Sequence, residues 1–223
     1  MFHRRLNIGV VIAISAIFTG HIMGLDVHHY DHMTFQQICT EVGQKNYQEY
    51  IDAVNARPIE VKAITSGTVY ASGDVISQLI TGTDIGQLDR KKAMRSCLAG
   101  LLLHGPMCHF WYQGMDDFFD EIELNQWWSV FPKVAVDELV WTPFWNGCYL
   151  SFTGLLSGKT PEECVKVVKQ TFLPLLKAGV NIWIPANLIT YGLIPQESRL
   201  LWADMVEILW CVVLAKKADE IEH

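Results

Sequence analysis

The sequence contains little charge for its length. Lys, Arg, Asp and Glu make up 18% of the 223 residues, whereas about 25% is usual in soluble domains. Half of the residues are hydrophobic, and the formal net charge of −7 leaves no excess of the basic residues on which nucleic-acid binding depends. The composition therefore favours a membrane protein, and we expect no nucleic acid among its partners.

Signatures of catalysis, redox chemistry and secretion are missing as well. No G-x-S-x-G elbow and no glycine-rich dinucleotide motif occurs. The six cysteines form no C-x-x-C pair, and no Asn-x-Ser/Thr acceptor is present. We expect a protein that is not an enzyme, with no cofactor and no metal, whose cysteines are buried, reduced thiols in an intracellular membrane.

One stretch imitates a phosphate-binding loop. Gly154 to Thr160 reads G-L-L-S-G-K-T, but only three residues separate its glycines where a P-loop needs four. Thr160 followed by Pro161 and Glu163 is instead the pattern of a capping box. This segment is predicted to begin a helix and not to bind a nucleotide.

A second stretch resembles a metal site. His28, His29, Asp31 and His32 bring metal-binding side chains together within five residues. A zinc site would need further ligands and supporting hydrogen bonds from elsewhere, which the sequence does not identify. We expect a solvated histidine-rich loop here.

Long apolar segments are the main positive feature of the sequence. They run over Ile8–Leu25, Pro58–Thr81, Met94–Tyr112, Trp127–Leu156, Phe172–Ile194 and Leu200–Ala215. None is a charge-free span of about twenty residues. The first follows Arg4 and Arg5, exceeds the length of a signal-peptide core and lacks a clear cleavage site, so we expect a retained anchor helix.

This pattern predicts an all-α, polytopic transmembrane helix bundle. We expect four to five core helices and the N-terminal anchor helix. The predicted division is residues 1–45 for the anchor and the polar, histidine-rich connection, 46–217 for the membrane helix bundle, and 218–223 for a short polar tail.

Charges in the connections alternate in sign along the chain. Basic groups precede the third apolar segment and follow the fourth and the last, whereas Asp116 to Glu123 form the one strongly acidic connection. If all six segments span, every basic connection lies on one side, as the positive-inside rule requires. The segment Phe172–Ile194, which contains Pro174 and Pro185, could alternatively lie in the membrane interface.

Small residues recur at helical spacing in the second apolar segment. Ala63, Gly67 and Ala71 are four residues apart and share a helix face, which permits close helix packing in a membrane. Gly105 and Pro106 are assigned to helix packing as well.

Several ionisable residues lie within apolar segments: Asp74, His104, His109, Lys133, Asp137 and Glu138. A charge at mid-bilayer costs about 2.5 to 3.5 kcal/mol on insertion scales, so such groups usually face a bundle interior or a hydrated path. Lys133 and Asp137 are four residues apart and are expected to pair on one helix face. These residues either line a pore or brace the bundle, and both interpretations remain open.

The sequence resembles the Mpv-seventeen and twenty-two-kilodalton peroxisomal membrane protein family from about Tyr50 to Ala215. The resemblance rests on G-D-V-I-S-Q from Gly73 and G-P-M-C-H-F-W-Y from Gly105, with Lys133 and Asp137 in a K-x-x-x-D pattern. Six positions depart from the C-terminal signature: Ile184, Asn187, Thr190, Tyr191, Val213 and Ala215.

The resemblance implies a helical protein of the mitochondrial inner membrane or, less favoured, the peroxisomal membrane, in a family described as channels for small solutes. The C-terminal residues Ile221 to His223 do not form an S-K-L address, which favours mitochondria. The predicted pore or polar interior comprises Asp74, His109, Lys133, Asp137 and Arg199. The alternative is a structural subunit of a large membrane complex. Expected partners are membrane lipid, small solutes for a channel, and other subunits for the alternative.

Overall fold

A computed structural model describes residues 35–124 and 126–222, with side chains described for 43–124 and 126–211. The predicted anchor helix and the histidine-rich stretch lie outside the described residues. The chain divides into two compact units, Met1–Ala56 and Arg57–His223. In the first unit the described residues form one helix, α1 (Phe35–Ala56), and the domain boundary predicted at residue 45 lies inside it.

The described part of the second unit is helical and contains no strand, which confirms the all-α class. Its helices are α2 (Pro58–Ile80), α3 (Arg90–Ala99), α4 (Gly105–Glu121), α5 (Val130–Val136), α6 (Thr142–Leu156), α7 (Pro161–Gly192) and α8 (Arg199–Glu222). Two π-helical turns, Gly100–His104 and Asp137–Trp141, join α3 to α4 and α5 to α6 without a break. These residues therefore form five helical rods: α2, α3–α4, α5–α6, α7 and α8.

Each π-helical turn ends two residues before a proline. Pro106 and Pro143 have no backbone N–H, and a proline ring inside an α-helix clashes with the carbonyl four residues earlier. In the π turns the N–H of Gly105 donates to Gly100 O, and that of Thr142 donates to Asp137 O. The wider turn accommodates the proline and lets the rod continue.

Consecutive rods run antiparallel, and the last rod closes the bundle against the first. The antiparallel pairs of contacting residues are Gly105 with Ala63, Asp74 with Lys92, Ser96 with Tyr149, Trp111 with Asp137, Gly154 with Cys164, Asn187 with Asp137, and Ala186 with Trp202. Between α2 and α8 the contacts are Ser66 with Asp204 and Gly73 with Cys211, so these two helices are parallel.

The small residues of α2 lie against the first π turn and the start of α4. A Cβ added to Gly105 would be 2.5 Å from Ala63 Cα, and one added to Gly67 would be 3.0 Å from Leu101 Cβ. Gly100 packs with similar closeness against the Ser66 backbone. The backbones of the first two rods therefore approach each other more closely than side chains would allow.

The connections segregate by charge because the rods alternate in direction. The links from α2 to α3 and from α6 to α7 lie at one end, named the basic end, where α3 begins with Arg90, Lys91 and Lys92 and the second link contains Lys159. The link from α4 to α5, which follows Asp117, Asp120 and Glu121, lies at the other, named the acidic end. This is the segregation that the sequence predicts for its core segments.

Helix α7 begins at the predicted capping box and continues through both of its prolines. The Glu163 N–H donates to Thr160 Oγ1, and the Thr160 N–H donates to Glu163 Oε2 at 2.8 Å, which confirms the prediction. Pro174 and Pro185 lie inside the 32-residue helix and do not end it. In the part of the chain that the structure describes, α7 is the one helix long and apolar enough to cross a membrane by length and composition.

Polar side chains face the interior of the second unit, and apolar ones cover much of its surface. Ser66 and Asp204 are fully buried, whereas Ile64 and Leu173 are 62% and 61% exposed. Further exposed apolar side chains occur on every rod and include Phe110, Phe131, Leu139, Val180 and Leu209. So many exposed apolar side chains are unusual for a protein surrounded by water and suit an apolar surrounding.

Candidate functional site

All five rods of the second unit line an interior cavity of about 240 Å³. Its walls are largely aromatic and include Tyr70, Trp141, Trp145, Tyr149, Trp183 and Trp210. Its ionisable lining residues are Asp74, Lys92, His104, Asp137 and Glu207. The cavity thus combines aromatic walls with three carboxylates, one ammonium group and one imidazole.

Asp74 lies where the cavity approaches the basic end. Its carboxylate is 3.4 Å from Lys92 Nζ and accepts a hydrogen bond from Gln78 Nε2 at 2.7 Å. Gln78 Oε1 accepts from the Asp89 N–H, so the side chain also ties α2 to the beginning of α3. Asp89 caps α3 by accepting from the Lys92 N–H at 2.9 Å, which lowers the pKa of the exposed Asp89 carboxyl.

Asp137 lies at the opposite part of the cavity wall, at the first position of the second π turn. Its carboxylate accepts hydrogen bonds from Trp111 Nε1, from Asn187 Nδ2 and from the Tyr191 hydroxyl. Asn187 Nδ2 also lies 3.2 Å from Glu138 Oε1. Asn187 and Tyr191 therefore both donate hydrogen bonds to Asp137. Both are positions at which the sequence departs from the signature of the resembled family.

A second buried network connects α2, the first π turn and α8. The Ser66 hydroxyl donates to Asp204 Oδ2 at 2.9 Å, and His104 Nδ1 lies 3.3 Å from Asp204 Oδ1. Ser66 and Asp204 both approach the same imidazole nitrogen, and the other nitrogen lies 3.3 Å from Cys108 Sγ. Since the serine proton is directed at a carboxylate, this arrangement holds helices together and does not activate the serine as a nucleophile.

Lys133 and Arg199 share one carboxylate at the acidic end. Asp116 lies 2.7 Å from Lys133 Nζ and 2.6 Å from Arg199 Nη1, and all three side chains are largely buried. The predicted pairing of Lys133 with Asp137 is therefore wrong. Asp116 on the adjacent rod takes the lysine, whereas Asp137 is satisfied by three uncharged donors. We name Asp116, Lys133 and Arg199 the ion triad.

The five residues predicted for the pore fall into three places. Asp74 and Asp137 line the cavity, while Lys133 and Arg199 belong to the ion triad outside its lining. His109 lies away from both, with its Nδ1 at 3.4 Å from Nζ of the buried Lys62. The cavity thus ends short of the acidic end, where the ion triad lies.

Two acidic residues of the interior, Asp204 and Glu207, were not singled out from the sequence. They are three residues apart within the apolar segment Leu200–Ala215, so the test that identified Asp74 and Asp137 applies to them equally. Ala203, Glu207 and Cys211 share the helix face that lines the cavity, and Met205 and Leu209 are exposed on the opposite face.

No metal site accompanies these carboxylates. Within residues 43–124 and 126–211, whose side chains the structure describes, no group of three or more His, Cys, Asp or Glu side chains could hold a metal ion. The described cysteines, Cys97, Cys108, Cys148, Cys164 and Cys211, are free thiols.

Comparison with known proteins gives relatives along most of the chain. A protein from Dictyostelium discoideum named PXMP2/4 family protein 4 is 27% identical over 78% of this chain and 95% of its own length. The mitochondrial inner membrane protein Mpv17 of Danio rerio is 26% identical over 78% of this chain and 98% of its own length. Peroxisomal membrane protein 2 of Bos taurus is 26% identical over 75% and 86%.

No solved structure matches the chain. The model of the Mpv17 / PMP22 family matches residues 154–215, which comprise the end of α6, all of α7 and most of α8. These are the rods that contribute Trp183, Asn187 and Glu207 to the cavity. Together with relatives that cover three quarters of the sequence, this match shows that the chain is similar along most of its length to the membrane proteins of the Mpv17 / PMP22 family.

Proposed function

We propose that this protein is a permeation pathway for small polar solutes through an organellar membrane, and that the cavity is part of the route. The observation that carries the proposal is a cavity whose lining includes three carboxylates, one ammonium group and one imidazole, inside a bundle whose outer surface is apolar. Ionisable groups inside membrane bundles usually line solute paths or pair with one another, and here Asp74, Asp137 and Glu207 reach a shared space.

The ion triad would then close the pathway at the acidic end. Asp116 of α4 forms ion pairs with Lys133 of α5 and Arg199 of α8. Breaking both pairs would therefore remove contacts among three rods and let them move apart. Such a pathway conducts only after a change at this end, because the cavity lining stops before the triad. Five membrane-crossing core helices are part of the proposal.

The mitochondrial inner membrane is the proposed location. Its support is the similarity to the Danio rerio protein whose name states that location, over nearly the whole of that relative. The similarity to a peroxisomal membrane protein of Bos taurus makes the peroxisome the second candidate. Imaging of the full chain against markers of both organelles distinguishes them.

Reconstitution of the full chain into liposomes tests the permeation proposal. Liposomes loaded with small polar solutes of graded size should lose the smaller ones faster than protein-free liposomes do, with a size limit set by the cavity. Asp116→Ala should raise the efflux rate, because it separates the ion triad, and Asp117→Ala is the matched control. Efflux from Asp116→Ala liposomes equal to that of protein-free liposomes would overturn the proposal.

The second candidate is a non-catalytic structural subunit of a membrane complex. Exposed aromatic side chains at the acidic end favour it, since Trp127 and Trp128 are 83% and 42% exposed beside the link between α4 and α5. Gentle extraction from the native membrane followed by native-gel sizing separates the candidates. Migration in a large complex of fixed stoichiometry supports the subunit, whereas a small homo-oligomer supports the free pathway.

A further inference from the structure

Glu207 differs from the other carboxylates of the interior because no described side chain donates a hydrogen bond to it. Asp74 has Lys92 and Gln78, Asp137 has three donors, and Asp204 has Ser66 and His104. Among the residues that the structure describes, Glu207 makes no hydrogen bond or ion pair, although it lines the cavity in the middle of α8. A carboxyl group in such a position either holds a proton or carries a charge that a bound cation would balance.

Aromatic rings line the same cavity as Glu207. Tyr70 contacts Trp145 edge-on at 5.9 Å between ring centroids and Tyr149 at 5.7 Å, and Trp145 and Tyr149 are 5.9 Å apart. Trp210 lies one turn beyond Glu207 along α8, and Trp183 of α7 also lines the cavity. Aromatic faces carry negative partial charge and attract organic cations.

We propose that the cavity is a binding site for a small organic ammonium cation, which pairs its charge with Glu207 and lays its alkyl groups against Tyr70, Trp145, Tyr149 and Trp183. A cavity of about 150 Å³ holds benzene, so one of 240 Å³ accommodates an ammonium ion of similar or somewhat greater size. The lining also carries an excess of carboxylates over ammonium groups, which disfavours anions.

A bare metal cation fits this site less well. Mg²⁺ and Ca²⁺ need six or more oxygen ligands, and the oxygens of Asp74 and Asp137 already accept hydrogen bonds or an ion pair. Aromatic walls supply no ligands to such ions, whereas they stabilise a cation whose charge is spread over alkyl groups. This inference deepens the proposed function and rests on it for the access of the ligand to the cavity.

Equilibrium dialysis of the purified full chain in detergent against radiolabelled choline tests the site. Choline should bind saturably, and its neutral isostere 3,3-dimethylbutan-1-ol should not compete at equal concentration. Glu207→Gln should weaken choline binding at least about tenfold through loss of a desolvated charge pair. Glu207→Asp keeps the charge and should retain part of the affinity. Glu162→Gln, an exposed carboxylate in the first turn of α7, should bind as the unmodified protein does.

Equal competition by the isostere, or equal affinity in Glu207→Gln, would overturn the inference, as would the absence of saturable choline binding. If Glu207→Gln loses its thermal unfolding transition, Trp183→Leu replaces it, and unchanged choline affinity in that variant would overturn the inference too. Liposome efflux separates this result from the proposed function. Choline binding without solute efflux would support the binding site and refute the permeation pathway. Solute efflux without choline binding would support the pathway and refute the binding site.

Discussion

Asp116 is the shared anion of the ion triad. It holds two cations, Lys133 and Arg199, whose side chains are 12% and 10% exposed. Asp116→Asn would leave both nearly buried cations without a counter-charge, and removal of one partner from a buried ion pair typically costs about 3 to 5 kcal/mol. We expect a loss of about 3 kcal/mol, measured by reversible unfolding in detergent.

Asp117 provides the matched control for that measurement. It is the neighbouring exposed aspartate, and neutralising an exposed carboxylate typically changes stability by less than about 0.5 kcal/mol. A loss of stability in Asp117→Asn equal to that in Asp116→Asn would show that the ion triad contributes nothing of its own.

Asp89 should make the stability of the bundle depend on pH. Because the Lys92 N–H holds its pKa below the ordinary value in the folded chain, its contribution is present above the unfolded pKa and is lost as pH falls through the folded one. Asp89→Asn should therefore lower the melting temperature at neutral pH and leave it unchanged below about pH 3. Asp84→Asn, whose side chain caps nothing, should show no such difference. A difference in melting temperature between Asp89→Asn and the unmodified protein that is the same at every pH would contradict this account.

At single positions, the sequence predicts which side chains face inward better than it predicts their partners. Asp74 and Asp137 lie in apolar segments, and this alone indicates that they face the interior. The partner of Lys133 is Asp116 of another rod and not Asp137 four residues on, because the choice depends on how α4 and α5 pack. His109 lies near Lys62 for the same reason, 47 positions apart in the chain.

At the scale of single helices, some features can be predicted from a few neighbouring residues and others cannot. The capping box at Thr160 was predictable because all of its atoms lie within four residues. Two other features could not be predicted in this way. Helix α7 continues through Pro174 and Pro185, and π turns precede Pro106 and Pro143. A proline indicates that a helix must break or adjust, and packing against neighbouring rods decides which.

Helix packing between the first two rods gives a prediction at this scale. Gly105→Ala would place a Cβ 2.5 Å from Ala63 Cα, and 2.6 Å from Ala63 N, so the rods must separate. We expect a loss of about 1 to 3 kcal/mol. Gly114→Ala on the same helix meets nothing within 4 Å and should be neutral or stabilising by about 0.5 to 1 kcal/mol. Unfolding in detergent measures both, and equal effects would contradict the close approach of α2 and α4.

For the molecule as a whole, the order of the rods follows from short links and alternating direction, both visible in the sequence. The packing of the last rod against the first, which closes the bundle, cannot be predicted in this way. The parallel contact of α2 with α8 joins Ser66 to Asp204, which are 138 residues apart, and no local pattern predicts it. The cavity results from this closure, so its existence and the place of Glu207 in it required the three-dimensional structure.

The central claim is that solutes pass through the cavity, and filling it tests that claim most directly. Ala203→Phe projects a ring into the cavity from α8, whereas Met205→Phe places the same ring on the exposed outer face of the same helix, where Met205 is 50% exposed. In liposomes containing equal amounts of folded protein, the account predicts that Ala203→Phe lowers efflux of small polar solutes several-fold and that Met205→Phe leaves it unchanged. Equal efflux in the two variants would contradict it.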